Sequence, residues 1–295
     1  MIPPPPSTGG ETSRFAPSPT GRLHLGHVYA ALFAAEAARQ GGRFLLRIED
    51  IDLGRCRSEF ETAIYEDLAW LELEWDPLVL RQSERFAVYG AALRRLEERE
   101  LVYPCFCTRK EIAAEIAGAA AAPQGPDGPL YPGTCRHRSA AERRRRLAEG
   151  QPHAWRLDVA RASAEAPSLT WHDRDAGRQE ARPERLGDVV LARKEVPTSY
   201  HLAVVLDDAA QGVSLVTRGT DLFQATHLHR LLQALLDLPV PEWHHHRLMT
   251  DAEGRRLAKR DAALSLAALR EAGRSPAEVR ALAGFPDVPS ASTGS

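Results

Sequence analysis

The stretch Thr12-Ser13-Arg14-Phe15-Ala16-Pro17-Ser18-Pro19-Thr20-Gly21-Arg22-Leu23-His24-Leu25-Gly26-His27 decides the fold. It reads as the end of a short apolar strand, a loop stiffened by proline and glycine, and the first turn of a helix. Pro17 and Pro19 fix two φ angles and cannot donate to a sheet ladder, so the strand stops there. From Leu25 to Gln40 the chain is alanine-rich, with strong helix propensity. A loop feeding a helix N-terminus presents free N–H groups and a positive dipole end, which suits phosphate. His24 and His27 flank Gly26, where a bulky group comes close to the backbone, and their spacing lets both rings face one anion.

Next comes Gly42-Arg43-Phe44-Leu45-Leu46-Arg47-Ile48-Glu49-Asp50, a compact apolar run ending in acids, read as a buried parallel strand. Strand, loop, helix, strand is a βαβ unit, and ligands in such sheets sit beyond the carboxyl ends of strands. Glu49 lies at such an end; a solvated acidic turn with Asp50 and Asp52 is the alternative. Two amphipathic helices follow, Ser58 to Leu73 with Ser58 as cap and Ser83 to Leu101 with one densely charged face.

The chain of 295 residues has room for one large domain with an insertion, or two modest ones. With 43% hydrophobic and 26% charged residues it has the composition of a globular protein, and a net charge of −2 confines any nucleic-acid contact to local patches. Met1 to Gly10 has no apolar core and reads as part of a disordered tail over 1–12. No apolar run approaches the ~20 residues of a membrane span, and four cysteines without a signal peptide point to the reducing cytoplasm. Nothing in the sequence calls for an obligate protein partner.

Three of the four cysteines fall between Tyr103 and Arg136, as Cys105-Phe106-Cys107 and, after a low-complexity stretch over Ala117 to Gly128, Cys135. Cys-x-Cys followed by a distant Cys suggests thiolate ligation of zinc with the intervening chain looped out. His137 or Tyr131 is the candidate fourth ligand; Cys56 is too remote. Ser139 to Gly150 is a short basic helix in which some of Arg143 to Arg146 pair with Glu142 and Glu149, leaving the rest for RNA phosphate. Short β-like runs at Ala154–Leu157, Leu169–Trp171 and Asp188–Leu191 give a mixed insertion.

Parallel-sheet character returns at Thr198 to Asp208, where periodicity leaves buried helix and strand both open. Val213 to Gly219 is a strand ending at Arg218, a planar two-pronged donor for a carboxylate, or a structural partner for Asp221 or Asp188. Asp221 to Leu236 is a helix. The basic segment Arg255-Arg256-Leu257-Ala258-Lys259-Arg260 follows the turn Asp251-Ala252-Glu253-Gly254 and can clamp polyphosphate. Two short helices, Leu264 to Ala272 and Pro276 to Ala283, precede a polar tail.

The opening run resembles the first motif of class I aminoacyl-tRNA synthetases, and Arg-Phe-Ala-Pro-Ser-Pro-Thr-Gly is similar to the glutamyl and glutaminyl branch. Arg256 to Arg260 resembles the second motif, Lys-Met-Ser-Lys-Ser, with Arg256 and Ala258 as departures and Lys259 at the lysine expected to touch ATP. The likeness runs over roughly residues 13 to 262. It implies an α/β fold, a Rossmann-type parallel sheet with a mixed α+β zinc-containing insertion. The expected halves of the catalytic domain are 13–104 and 197–262, with the insertion at 105–196 and a helical C-terminus at 263–295. It also implies that His24, His27 and Lys259 are catalytic and, with Gly26, bind ATP. Arg14, Phe15, Ala16, Pro17, Ser18, Glu49, Tyr200 and Arg218 then bind L-glutamate, and Mg²⁺ accompanies ATP.

About thirty-five residues follow Lys259, which implies that the large anticodon-binding region of full-length glutamyl-tRNA synthetases is absent. With Cys-x-Cys…Tyr-x-x-x-Cys, this resembles the glutamyl-queuosine tRNA(Asp) synthetase family. In that family Cys105, Cys107, Tyr131 and Cys135 hold one structural zinc, and the glutamyl group goes to queuosine at the wobble position of tRNA(Asp). Charging of a tRNA 3′ end by a short glutamyl-tRNA synthetase, or a non-catalytic RNA- or nucleotide-binding role, is the alternative.

Overall fold

The structure, a computed structural model, describes residues 10–39, 41–118, 124–126, 128–250 and 265–286. Arg256, Ala258 and Lys259, with half of the low-complexity stretch, lie outside the described residues. In chain order the elements begin with β1 (Thr12–Phe15), α1 (Leu25–Ala37), β2 (Arg43–Ile48), α2 (Ser58–Trp70), β3 (Leu80–Arg81) and α3 (Phe86–Glu98). Then come β4 (Val102–Cys105), α4 (Arg109–Gly118), β5 (Gln124–Gly125), β6 (Gly128–Pro129), α5 (Ala140–Ala148), β7 (Ala154–Leu157) and α6 (Val159–Glu165). The last are β8 (Thr170–Asp173), β9 (Gly177–Glu180), β10 (Val190–Ala192), α7 (Tyr200–Gln211), β11 (Leu215–Gly219), α8 (Ala225–Leu235), β12 (Glu242–His246), α9 (Leu266–Glu271) and α10 (Pro276–Leu282).

The chain divides into two compact units. A flanking unit takes the described residues of Pro3–Glu84, Gly212–Asp221 and Pro241–Ser295; a central unit takes Arg85–Gln211 and Leu222–Val240. In the flanking unit the named strands pair in parallel, and an isolated antiparallel bridge joins His24 to Ser265. β1 pairs with β2 in the register Arg14↔Leu45, β2 with β3, and β11 with β12 in the register Arg218↔His245. The Ser214 N–H donates to the Thr12 carbonyl at 3.0 Å, and the Thr12 N–H to Ser214 Oγ at 2.9 Å, joining the start of β11 to β1. Thr12, assigned to the tail from sequence, is thus the first residue of β1.

Helix α1 is the β1–β2 crossover and is buried on two sides, which explains its alanine-rich sequence. Ala31, Ala34 and Ala38 pack with Phe15, Phe44, Leu46 and Ile48 and with Ile64 and Leu68 of α2. Its other side, with Leu25, Val28, Tyr29 and Leu32, meets Leu266, Val279 and Ala283. Small side chains let the helix come close to the sheet without voids.

The central unit is mixed. β4, β7 and β10 form an antiparallel three-stranded sheet, and β8 and β9 form an antiparallel pair. The open segment at Thr198 to Asp208 is helical, as α7. Its periodicity is unreadable because Leu202, Ala203, Val204, Val205, Asp207 and Asp208 are all buried, so no polar stripe exists. Asp207 is buried at no cost in pairing: it accepts from Arg85 Nε at 2.7 Å and from the Tyr89 hydroxyl at 2.8 Å on α3. No helix among the described residues is long and apolar enough to cross a membrane.

Candidate active site

His24 is the N-cap of α1. Its Nδ1 accepts the Gly26 N–H at 3.1 Å, while His27 Nδ1 accepts the His24 N–H at 3.2 Å, so the two imidazoles form a reciprocal capping box. Their ring centroids are 3.8 Å apart with a 31° tilt. Because both Nδ1 atoms accept, the neutral rings carry their protons on Nε2. A Cβ on Gly26 would lie 3.0 Å from His24 Cε1, so glycine suits position 26 because the His24 ring occupies that space.

Three charged groups stand at the carboxyl ends of the parallel strands of this unit. Arg14, 4% exposed at the end of β1, donates from a terminal guanidinium nitrogen to the Thr217 carbonyl of β11 at 2.9 Å. Arg218, near the end of β11, is also buried, and its Nε donates to His245 Nε2 at 3.2 Å. Neither Asp221 nor Asp188, the partners weighed for Arg218 from sequence, is the one in that hydrogen bond. Glu49 follows β2; its N–H donates to the Pro17 carbonyl at 3.0 Å, and its carboxylate lies 3.4 Å from the buried Arg47 guanidinium. Asp50 turns away to cap the next segment, accepting from the Ser83 N–H and hydroxyl at 2.8 and 2.6 Å. The solvated acidic turn is therefore not what forms. Gly219 closes β11 where a Cβ would lie 2.4 Å from Asp221 Oδ1.

The remaining residues of the opening run differ in what they offer. The Phe15 ring is in the core, Pro17 is buried, Ala16 is half-buried and Ser18 is exposed. Phe15 and Pro17 can therefore present only backbone to a ligand, whereas Ser18 presents its hydroxyl. Tyr200 belongs to the central unit, where it begins α7 and packs on the rings of His201 and His229 at 5.5 and 5.6 Å.

In the central unit the sulfurs of Cys105, Cys107 and Cys135 lie within 4.8 Å of one another. The Tyr131 hydroxyl stands 3.4 Å from Cys105 Sγ and 3.6 Å from Cys107 Sγ, and accepts the Cys135 N–H at 2.9 Å. Among the described residues no histidine nitrogen falls within the group that the three sulfurs form. Hydrogen bonds from the Cys105 thiol and the Phe106 N–H hold the Cys135 thiol down to about 4, against its burial.

Sequence reasoning missed three residues, two of them around this cluster. Arg156 lays its guanidinium 3.8 Å above the Tyr131 ring, a cation–π contact, while burial and the Cys105 and Cys107 thiols push the Tyr131 phenol up despite the Cys135 N–H. Asp188 gathers the Tyr103 hydroxyl at 2.6 Å, an Arg136 nitrogen at 3.0 Å and the Val159 N–H at 3.1 Å. His245 fixes Arg218. Only for His245 did the sequence hold a signal, in the unusual run His244-His245-His246. On α5, Arg146 pairs with Glu142 and Arg145 with Glu149, as the spacing implied.

The model of the family "tRNA synthetases class I (E and Q), catalytic domain" matches residues 12–283. The chain is 52% identical over 279 residues to a glutamyl-Q tRNA(Asp) synthetase of Rhodobacter capsulatus, covering 92% of this chain and 99% of that protein. It is 46% identical to a glutamyl-Q tRNA(Asp) synthetase of Nocardia farcinica, over 94% of this chain and 84% of the relative. Among solved structures it resembles a glutamate tRNA ligase from Elizabethkingia meningosepticum in complex with its amino acid, with a TM-score of 0.70 and 29% identity. That match covers 85% of this chain and 52% of the ligase, so the chain spans about half the length of the solved relative. The parallel sheet, the histidine-capped first helix and these likenesses agree: the chain belongs to the catalytic-domain family of the class I glutamyl and glutaminyl tRNA synthetases.

Proposed function

We propose that this protein activates L-glutamate with ATP and passes the glutamyl group to queuosine in the anticodon of tRNA(Asp), in the cytoplasm. The observation that carries the acceptor is the 52% identity to a glutamyl-Q tRNA(Asp) synthetase over 99% of that relative. In the first step a glutamate carboxylate oxygen attacks the α-phosphorus of ATP and pyrophosphate leaves, giving glutamyl-adenylate. The Nε2–H groups of His24 and His27, aimed from a helix N-terminus, donate to phosphate oxygens as charge builds on them. Lys259 adds a cation to this role by its motif, and Mg²⁺ accompanying ATP supplies further countercharge. In the second step a hydroxyl of the queuosine cyclopentenediol attacks the glutamyl carbonyl and AMP leaves.

Glutamate selection follows from charge. Arg14 and Arg218 are buried cations at neighbouring strand ends, suited to two carboxylates, and Glu49 is the acid for the ammonium group. Tyr200 is assigned to glutamate by its motif, as are the Phe15–Ser18 backbone and the Ser18 hydroxyl.

Cys105, Cys107, Cys135 and Tyr131 fit a structural zinc. A tetrahedral zinc with bonds of about 2.3 Å to sulfur and 2.0 Å to oxygen places sulfur and oxygen ligands ~3.5 Å apart. The Tyr131 oxygen already stands 3.4 and 3.6 Å from two of the sulfurs. With four protein donors there is no open position, so the ion would tie the loop around Tyr131 to β4 and take no part in the reaction.

Glutamate-dependent ATP–pyrophosphate exchange without tRNA tests activation, and mapping radiolabelled glutamate on the RNA tests the acceptor. Label at the wobble nucleoside of queuosine-bearing tRNA(Asp) is expected. Label at a tRNA 3′ end would instead make the chain a short glutamyl-tRNA synthetase. Absence of exchange would leave a binding protein.

A further inference from the structure

Strand β2 of the flanking unit carries one residue that its apolar surroundings do not explain. In Arg43-Phe44-Leu45-Leu46-Arg47-Ile48 the side chains alternate between the two faces of the sheet. Phe44, Leu46 and Ile48 meet the alanines of α1 and Ile64 and Leu68 of α2. Leu45 and Arg47 point the other way. Arg14 shares their face, because it stands beside Leu45 in the parallel register of β1 and β2. Arg47 is 0% exposed, so a full positive charge is buried within the strand. Such a charge is costly to bury unless a nearby acid offsets it.

Glu49 supplies that acid. It lies two positions further along, where the alternation returns to the same face, and its Oε1 stands 3.4 Å from a terminal nitrogen of Arg47. The pair is graded in depth: the Arg47 side chain is fully buried, and that of Glu49 is 12% exposed. The arginine is therefore screened from a bound amino acid, whereas the glutamate stands at the strand end. Its backbone is pinned as well, by the N–H bond to the Pro17 carbonyl at 3.0 Å. A carboxylate has two oxygens, so one can face the guanidinium while the other accepts from an ammonium group. The charge count agrees. Arg14 and Arg218 match the two carboxylates of glutamate and Glu49 its ammonium, which leaves Arg47 as a cation with no counterpart on the substrate.

We infer that Arg47 is a positioning residue for amino-group recognition: it fixes the Glu49 carboxylate at the end of β2 before the amino acid arrives, and so sets the preference for glutamate over a dicarboxylate that lacks the amine. The inference rests on the assignment of Glu49 to the ammonium group in the function proposed above. An acid at an open strand end otherwise samples several rotamers, and ordering it on binding costs entropy. A buried guanidinium that holds it from below removes that cost. Acting through Glu49 alone, Arg47 governs amino-acid affinity and leaves the phosphate chemistry at His24 and His27 unchanged.

The test reads a ratio. Glutamate-dependent ATP–pyrophosphate exchange gives the KM for L-glutamate, and inhibition of that exchange by glutarate, which has both carboxylates and no amine, gives a Ki. Neither constant depends on the fraction of enzyme that is folded, and thermal melting follows stability alongside. Glu49→Gln is expected to raise the KM for glutamate at least ~10-fold, the loss of a charge-assisted bond, with the glutarate Ki unchanged or lower. Arg47→Met is expected to raise it by roughly 2- to 12-fold, with the glutarate Ki and the KM for ATP within about twofold of wild type. Arg47→Lys keeps the charge but not the reach of the guanidinium, and a smaller rise of about twofold or more is expected. In the double variant Arg47→Met/Glu49→Gln the ratio is that of Glu49→Gln alone, since the two residues act as one unit. A glutarate Ki that climbs in parallel with the KM in Arg47→Met shows a structural role only and overturns the inference, as does an unchanged KM. An unchanged ratio in Glu49→Gln strikes the ammonium assignment and the inference with it. If Arg47→Met melts below the assay temperature, Arg47→Lys decides by the same ratio, an unchanged value overturning the inference. If the wild type shows no glutamate-dependent exchange, the proposed function fails, while calorimetric binding of glutamate and glutarate to the same variants still judges Arg47.

Discussion

His24 and His27 cap each other: the ring of His27 accepts the N–H of His24, while the ring of His24 accepts the N–H of Gly26 at the first turn of α1. The pair thus has two separable duties, closing the helix with Nδ1 and presenting Nε2–H to phosphate. His24→Asn keeps a good N-cap and removes the Nε2 donor. Its melting temperature is expected to stay near wild type while exchange falls ~10²-fold. His24→Ala loses the cap as well, at a further cost of about 1 kcal/mol in stability. Equal losses of stability in both variants would mean that the ring's contribution is packing alone.

The cysteine cluster yields a metal prediction that discriminates its fourth member. The purified protein is expected to carry ~1 zinc per chain. Tyr131→Phe removes both the oxygen beside the sulfurs and the acceptor of the Cys135 N–H, and its zinc content after dialysis against a weak chelator falls well below wild type. His137→Ala is expected to retain zinc. Elemental analysis reads both, and zinc loss in the His137 variant alone would reverse the assignment.

Most of the flanking unit was legible because its devices are local. Pro17 and Pro19 stop β1, the alanine run makes α1, and the acids after Ile48 mark a strand end. What escaped the sequence is tertiary in origin. Helix α7 looked as much like a strand as a helix because neighbours cover it on all sides. Helix α4, just ahead of the low-complexity stretch, went unread, although Thr108-Arg109-Lys110-Glu111 carries the capping-box pattern. There the Glu111 N–H reaches the Thr108 hydroxyl at 3.2 Å, and the Glu111 carboxylate takes the Thr108 N–H at 2.6 Å. That signal was readable. The choice of Tyr131 over His137 was not, since Cys-x-Cys spacing says nothing about which later side chain returns to the sulfurs.

Acid should loosen the flanking unit through His246. Burial lowers its pKa, with His244 adding to the effect, and these outweigh the opposing pull of the Arg247 carbonyl and Asp221. Its Nδ1 is bonded to the Arg247 carbonyl at 2.9 Å, while Nε2 is buried with no hydrogen-bond partner, facing the rings of Tyr29 and Phe33. The folded value lies below the unfolded ~6.5, so below that pH the unfolded chain binds more protons than the native one. Stability is therefore complete above about pH 7 and declines as pH falls through ~6.5. Thermal melts between pH 8 and 5.5 should show this decline, with a shallower slope in His246→Asn. An unchanged slope in the variant would clear His246 of the effect.

Arg218 and His245 supply the sharpest test of glutamate selection. Both are buried, they face each other across the β11–β12 pairing, and the 3.2 Å bond from Arg218 Nε fixes the plane of the guanidinium. With Nε held, the terminal nitrogens form a two-pronged donor set at the strand end, the geometry that a carboxylate matches. Charge alone would be kept by Arg218→Lys, but a lysine cannot reproduce the fork. That variant is therefore expected to raise the glutamate KM in the exchange assay by at least ~10-fold, because a charge-assisted hydrogen bond contributes about 1.5–3 kcal/mol. His245→Ala leaves Arg218 intact and only frees its plane, so a smaller rise of roughly 2- to 12-fold is expected, the worth of one ordinary hydrogen bond. The order matters more than either value. If His245→Ala were as damaging as Arg218→Lys, the histidine would be touching glutamate itself rather than orienting the arginine. If Arg218→Lys left the KM unchanged, a point charge would suffice and the carboxylate would have to be held elsewhere.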